Sequence, residues 1–205
     1  RDPTRRERLV RRALEVEPDN PDVVYEMGAV LQQLRRPTDA LPYFTRHLDL
    51  VDDDQQTLVQ IGKCYSDLGR LDEAETALRR ALAVSDDATG YYNLGFVMEQ
   101  RGRREEAERY YRRTLDVDPT HASAHNNMAA LLAERGRLPE AVEHWAIVLR
   151  FNPEHVDGHA NMGAALAQQG RFAGALRHLD EALRLNPTHA GARANREAVE
   201  RGSRN

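Results

Sequence analysis

Residues 88–121 read ATGYYNLGFVMEQRGRREEAERYYRRTLDVDPTH, and residues 122–155 read ASAHNNMAALLAERGRLPEAVEHWAIVLRFNPEH. Offset by 34, they agree where residues are least interchangeable: Asn93 on Asn127, Gly102-Arg103 on Gly136-Arg137, Ala107 on Ala141, Pro119 on Pro153. The agreement extends outward. Asn161 and Asn195 continue the asparagines, Pro187 the prolines, Gly69 and Gly170 the glycines before arginine, and Ala40, Ala74 and Ala175 the alanines. Four residues after each alanine stands an apolar or aromatic residue: Phe44, Leu78, Tyr111, Trp145 and Leu179. One residue is missing near Asp87. A fixed period of this length marks stacked structural units.

Within one unit, Leu94, Val97 and Met98 have the spacing of one helical face. Gly102 ends that helix as a left-handed cap. Ala107, Tyr111, Thr114 and Leu115 form the face of a second helix, and a proline or aspartate turns the chain into the next unit. The pairs Met27-Gly28, Ile61-Gly62, Leu94-Gly95, Met128-Ala129 and Met162-Gly163 put a small residue at position eight, and the alanines put another at position twenty. Two helices can approach closely there. Neither helix buries its apolar stripe alone, so the units must stack.

Period, small residues at positions eight, twenty and twenty-seven, and proline at thirty-two resemble the tetratricopeptide repeat family over nearly the whole chain. The resemblance implies an all-α, right-handed α-solenoid of helix-turn-helix repeats. It reads as a single domain over 1–205, with repeats at 21–54, 55–87, 88–121, 122–155 and 156–189. Residues 3–17 are expected to be the second helix of a preceding repeat, and 190–201 a first helix or cap. The first repeat departs from the pattern: Arg35 replaces the capping glycine, Pro42 lies in the second helix and His47 replaces alanine, so local irregularity is expected there. The chain opens Arg1-Asp2-Pro3 halfway through a repeat, which reads as an excised piece of a longer protein.

In this family first helices line a groove, with positions two, five, six, nine, twelve and thirteen inward. Position six then reads Glu26, Gln60, Asn93, Asn127, Asn161 and Asn195. A carboxamide offers one acceptor and two donors, the complement of a peptide unit. The run Asn93-Leu94-Gly95 and the phrase Pro119-Thr120-His121-Ala122 are similar to the superhelix of O-GlcNAc transferases, where an asparagine ladder holds substrate peptide. Tyr92 and Phe96, with Tyr25 further along, are candidates for an aromatic anchor; Lys63, Asn126, Asp67, Glu134 and Gln168 complete a mixed groove. A chaperone-tail clamp is rejected, because it needs lysine and arginine at groove positions and Lys63 is the chain's only lysine.

The chain is 40% hydrophobic, 30% charged and of formal charge −4, a folded composition with no case for nucleic acid or an anionic membrane. No apolar run approaches a membrane span, and the single cysteine, Cys64, excludes an intrachain disulfide. The spacings His121/His125 and His155/His159 suit metal ligation, but their periodicity points to structure, and no metal or cofactor is expected. No nucleophile or phosphate-loop motif is present, so the chain itself is read as non-enzymatic. The expectation is a protein-interaction scaffold holding an extended peptide, in the cytoplasm of a bacterial-type cell. Its rivals are a scaffold that self-assembles through repeat ends and the substrate-recruiting arm of a larger enzyme such as a glycosyltransferase.

Overall fold

The computed structural model describes residues 3–202, which hold twelve α-helices and no strand. The helices are α1 (Pro3–Val16), α2 (Pro21–Gln33), α3 (Pro37–Leu50), α4 (Gln55–Asp67), α5 (Leu71–Val84), α6 (Ala88–Gln100), α7 (Arg104–Val117), α8 (Ala122–Glu134), α9 (Leu138–Phe151), α10 (Val156–Gln168), α11 (Phe172–Leu185) and α12 (Ala190–Gly202). The even-numbered helices are first helices of 13 residues; the odd-numbered ones are second helices of 14.

Each boundary has a chemical cause. The first helices begin at a side-chain cap: Asn20, Asp54 and Asp87 accept from backbone N–H groups one turn on, and the Nδ1 atoms of His121, His155 and His189 do the same. Four of them, α4, α6, α8 and α10, end at Gly69, Gly102, Gly136 and Gly170, with φ of 71 to 75°. The arginine after each glycine donates its N–H to the carbonyl five residues back, at Tyr65, Met98, Leu132 and Leu166, which closes a Schellman turn. The same arginine in three repeats reaches the carboxylate three residues ahead: Arg70 to Glu73, Arg103 to Glu106, Arg137 to Glu140. Arg36 does likewise with Asp39.

The helix contacts gather into two compact units, Arg1–Arg113 and Thr114–Asn205. In the first, consecutive helices from α1 to α6 pack pairwise, and the first helices α2, α4 and α6 also touch in order. In the second, α8 to α12 do the same, with α10 against both α8 and α12. Within a hairpin the two helices meet at position eight. A Cβ built on Gly28, Gly62, Gly95 or Gly163 would stand 2.8, 2.5, 2.8 or 2.6 Å from Phe44, Leu78, Tyr111 or Leu179 respectively, closer than carbon atoms tolerate. All four of those large side chains are fully buried.

The first repeat is more regular than its sequence suggests. Arg35 adopts the left-handed conformation of the missing glycine, at φ 58°, and Arg36 still bonds back to Leu31. Helix α3 runs unbroken through Pro42, its sixth residue, with the ring exposed. The amide that proline lacks would have bonded Thr38 in the helix's first turn, so the ladder beyond is intact. His47, where other repeats have alanine, is buried and its Nδ1 lies 2.8 Å from the Thr57 hydroxyl.

Two expectations follow. A left-handed non-glycine residue costs about 1–2 kcal/mol, of which glycine's larger unfolded freedom takes back about 0.5–1 kcal/mol. Arg35→Gly is therefore expected to raise the thermal midpoint by about 2 °C. Gly163→Ala is expected to lower the unfolding free energy measured by urea titration by about 1–3 kcal/mol despite alanine's better helix propensity, because its methyl would also press on the Ala175 carbonyl. A stabilised alanine variant would show that the α10–α11 contact yields freely.

Candidate functional site

The residues singled out at position six lie on the first helices, and each unit presents its own surface. In the first unit, a pocket of about 160 Å³ between α4 and α6 is lined by Lys63, Ser66, Asp67, Tyr92, Asn93 and Phe96. Phe96 keeps 36% of its surface exposed, a high value for an aromatic ring flanked by a helix groove. The Tyr92 ring leans on Tyr111 at 5.8 Å, and the Tyr111 hydroxyl donates to Glu99 at 2.6 Å. The Ser66 hydroxyl donates to Gln100 and ties α4 to α6. Lys63 also borders a second depression, beside Gln33 and Arg35.

Tyr25 does not join the aromatic pair. Its ring packs edge-on against Phe44 at 5.5 Å and His47 at 5.3 Å, inside the first repeat's core. Tyr25 and Tyr92 occupy the same repeat position, and the same intrahairpin packing holds both; only Tyr92 also borders the pocket. Gln60 is drawn inward as well. Burial holds the pKa of the neighbouring Tyr25 hydroxyl above the usual range, and the buried Oε1 of Gln60 has no donor among the described residues.

In the second unit, two adjoining troughs run along α10. One, of about 330 Å³, lies toward α8 and contains Asn161 and Trp145; the other, of about 290 Å³, lies toward α12 and contains Asn195 and Phe172. They share Ala164 and Gln168. The asparagines differ in what they already bind. Asn93 Nδ2 donates to the Thr89 carbonyl of its own helix at 2.7 Å. Asn127 Oδ1 accepts from Asn126 at 3.3 Å, while the Asn126 oxygen is buried without a donor. Among the described residues no hydrogen bond engages the carboxamide of Asn161 or Asn195. The alanines flooring these troughs were visible in the sequence as a recurrence at positions nine and twelve, but nothing there marked them as functional.

The histidines form a structural system. His125 and His144 face each other across α8 and α9 with Nδ1 atoms 2.7 Å apart, and His159 and His178 repeat this across α10 and α11 at 3.0 Å. The other nitrogen, Nε2, lies 3.0 Å from the Pro119 carbonyl in His125 and 2.9 Å from that of Pro153 in His159. A carbonyl only accepts, so His125 and His159 carry their proton on Nε2, and His144 and His178 donate through Nδ1. No group of three or more histidine, cysteine or acidic residues suited to a metal occurs among the described residues. Burial pushes the Cys64 thiol up to about 12, which removes it as a nucleophile. No described helix is long and apolar enough to cross a membrane.

Tetratricopeptide repeat family models match residues 22–87, 53–120 and 86–152, and a further model of that description matches 156–189. The chain is similar in structure to YrrB, described as a TPR protein with an unusual peptide-binding site, with TM-score 0.67 and 23% identity over 92% of this chain and 97% of that one. It is similar to MamA, with TM-score 0.68 and 19% identity over 80% and 96%. It is similar to pilF of Pseudomonas aeruginosa, with TM-score 0.79 and 19% identity over 90% and 85%. At these identities the likeness establishes the fold, an all-α helical repeat solenoid. No curated protein sequence matches the chain.

The paired histidines give the fold a pH dependence of fixed sign. Burial first, and the facing imidazole second, hold His144 and His178 below the usual histidine range. As pH falls through the unfolded value of about 6.5, the unfolded chain takes up these protons before the folded one, so stability is lost. The melting temperature is expected to drop between about pH 7.5 and about pH 5.5, and to drop less in the double variant His144→Gln, His178→Gln. Equal slopes in calorimetry would mean that these pairs do not set the dependence.

Proposed function

The chain belongs to the tetratricopeptide repeat family, and on that premise we propose that it is a protein-interaction scaffold holding an extended peptide segment of a partner along its first-helix face. The observation that carries this is the state of Asn161 and Asn195. They stand one repeat apart in adjoining troughs, and among the described residues no hydrogen bond engages their carboxamides. Each can meet a peptide N–H with its oxygen and a peptide carbonyl with its nitrogen, independently of the side chains that the peptide carries. This is the manner of holding that the likeness to O-GlcNAc transferase superhelices implies. Asn127, one repeat earlier, extends the row.

A single hydrogen bond contributes about 0.5–1.5 kcal/mol net, so capture needs several in register. In the first unit Asn93 already uses its nitrogen, and discrimination falls to Tyr92, Phe96 and Lys63 around the smaller pocket. YrrB, with its described peptide-binding site, is a fold precedent for this reading.

The test is selection of a displayed random-peptide library on the folded chain, followed by fluorescence polarisation with the selected peptide. Loss of two to four hydrogen bonds in the Asn161→Ala, Asn195→Ala variant is expected to weaken binding by about tenfold or more. Unchanged affinity in a variant with unchanged melting temperature would remove the asparagines from the mechanism.

A further inference from the structure

The two troughs of the second unit restrict what can lie in them. Resting on the peptide-capture reading, we propose that they take a neutral polyproline II segment whose aliphatic side chains recur every third residue. The floor is methyl-lined: Ala130, Ala133, Ala164, Ala167 and Ala198 stand at positions nine and twelve. The same positions in the first unit carry Ala29, Gln32, Lys63, Ser66, Phe96 and Glu99, a mixed set with one alanine among six. Of the residues lining the two troughs only Glu134, at one rim, is charged. An anionic ligand side chain would lose its hydration there and meet no cation, only the Glu134 carboxylate, whereas an aliphatic one gains contact with Leu138 or Phe172 on the walls.

A second observation asks for a ligand acceptor. Trp145 lines the larger trough with 3% of its surface exposed, and its indole Nε1–H has no acceptor among the described residues. An orphaned buried donor of this kind is destabilising, because it has given up water without gaining a partner. A ligand carbonyl lowered into the trough would relieve it, alongside the amide of Asn161.

The spacing then selects the backbone. The troughs flank α10, so they repeat at the separation of neighbouring first helices, on the order of 8–10 Å. An α-helix satisfies its own N–H and carbonyl groups and leaves none for asparagine. A β-strand returns a side chain to the same face after about 7 Å or about 13 Å, on either side of the required interval. Polyproline II returns every third residue to one face, about 9.3 Å on, and its carbonyls make no internal hydrogen bond. Each turn would set one aliphatic side chain on the alanine floor and offer carbonyls to Asn161, Asn195 and Trp145.

Nitrogen-15 spectra of the whole chain test this with three synthetic twelve-residue probes: four Val-Pro-Pro repeats, a peptide of the same composition with valines two apart, and four Glu-Pro-Pro repeats. The expected result is saturable shifts of the Trp145 indole and the Asn161 and Asn195 amides with the first probe, binding at least tenfold weaker for the second, and none with the third. Ala164→Arg, which places a charge on the shared floor, is expected to abolish the shifts while the melting temperature of the chain is retained. Equal binding of the first two probes overturns the every-third-residue register. If the Val-Pro-Pro probe is silent but library-selected peptides still require Asn161 and Asn195, peptide capture stands and the polyproline II assignment falls. If neither binds, both fall.

Discussion

The structure depends on the distance of closest approach inside each helical hairpin. At position eight the first helix carries no side chain beyond a hydrogen or a methyl, and the large side chain at position twenty-four of the second helix presses into that space. Phe44, Leu78, Tyr111 and Leu179 are fully buried because of it. Dispersion acts over tenths of an ångström, so this contact both stabilises the hairpin and sets the rotation of each helix about its axis. Rotation in turn decides which residues face the neighbouring first helix. Within the second unit, Asn161 and Asn195 border adjoining troughs because the hairpins that carry the first helices repeat this contact.

Much of this architecture was legible in the sequence because it rests on residues with few substitutes. Glycine before arginine announced a left-handed turn, and the turn is present at Gly69, Gly102, Gly136 and Gly170. Arg35 shows the limit of that reasoning: the turn is kept without its glycine, since stacking on either side determines the local backbone more strongly than one residue's preference. Pro42 illustrates the same override, one amide absent early in a helix that packing holds continuous.

The site was legible only in part. Period alone placed Asn93, Asn161 and Asn195 beside pockets. Whether a carboxamide is available is a matter of its immediate neighbours: Asn93 finds a carbonyl four residues back, and Asn127 finds the nitrogen of Asn126. Repeat position cannot encode those differences. Tyr25 and Tyr92 make the point again, being equivalent in register yet different in what lies beyond them. The histidine couples are the opposite case. Their 19-residue separation recurs openly in the sequence, but hydrogen bonding between first and second helices emerges only when the hairpin is closed.

Lys63 lends the first unit a property of a different kind. It borders two neighbouring depressions on the first-helix face, and every other basic side chain among the 29 in this chain is an arginine. Guanidinium groups stay protonated and unreactive where a primary amine acylates. Apart from the α-amino terminus, amine-selective chemistry therefore has one address on the protein, beside Tyr92 and Phe96. A fluorophore or crosslinker attached without any engineered residue would sit on the wall of the pocket, where it could report directly on whatever enters.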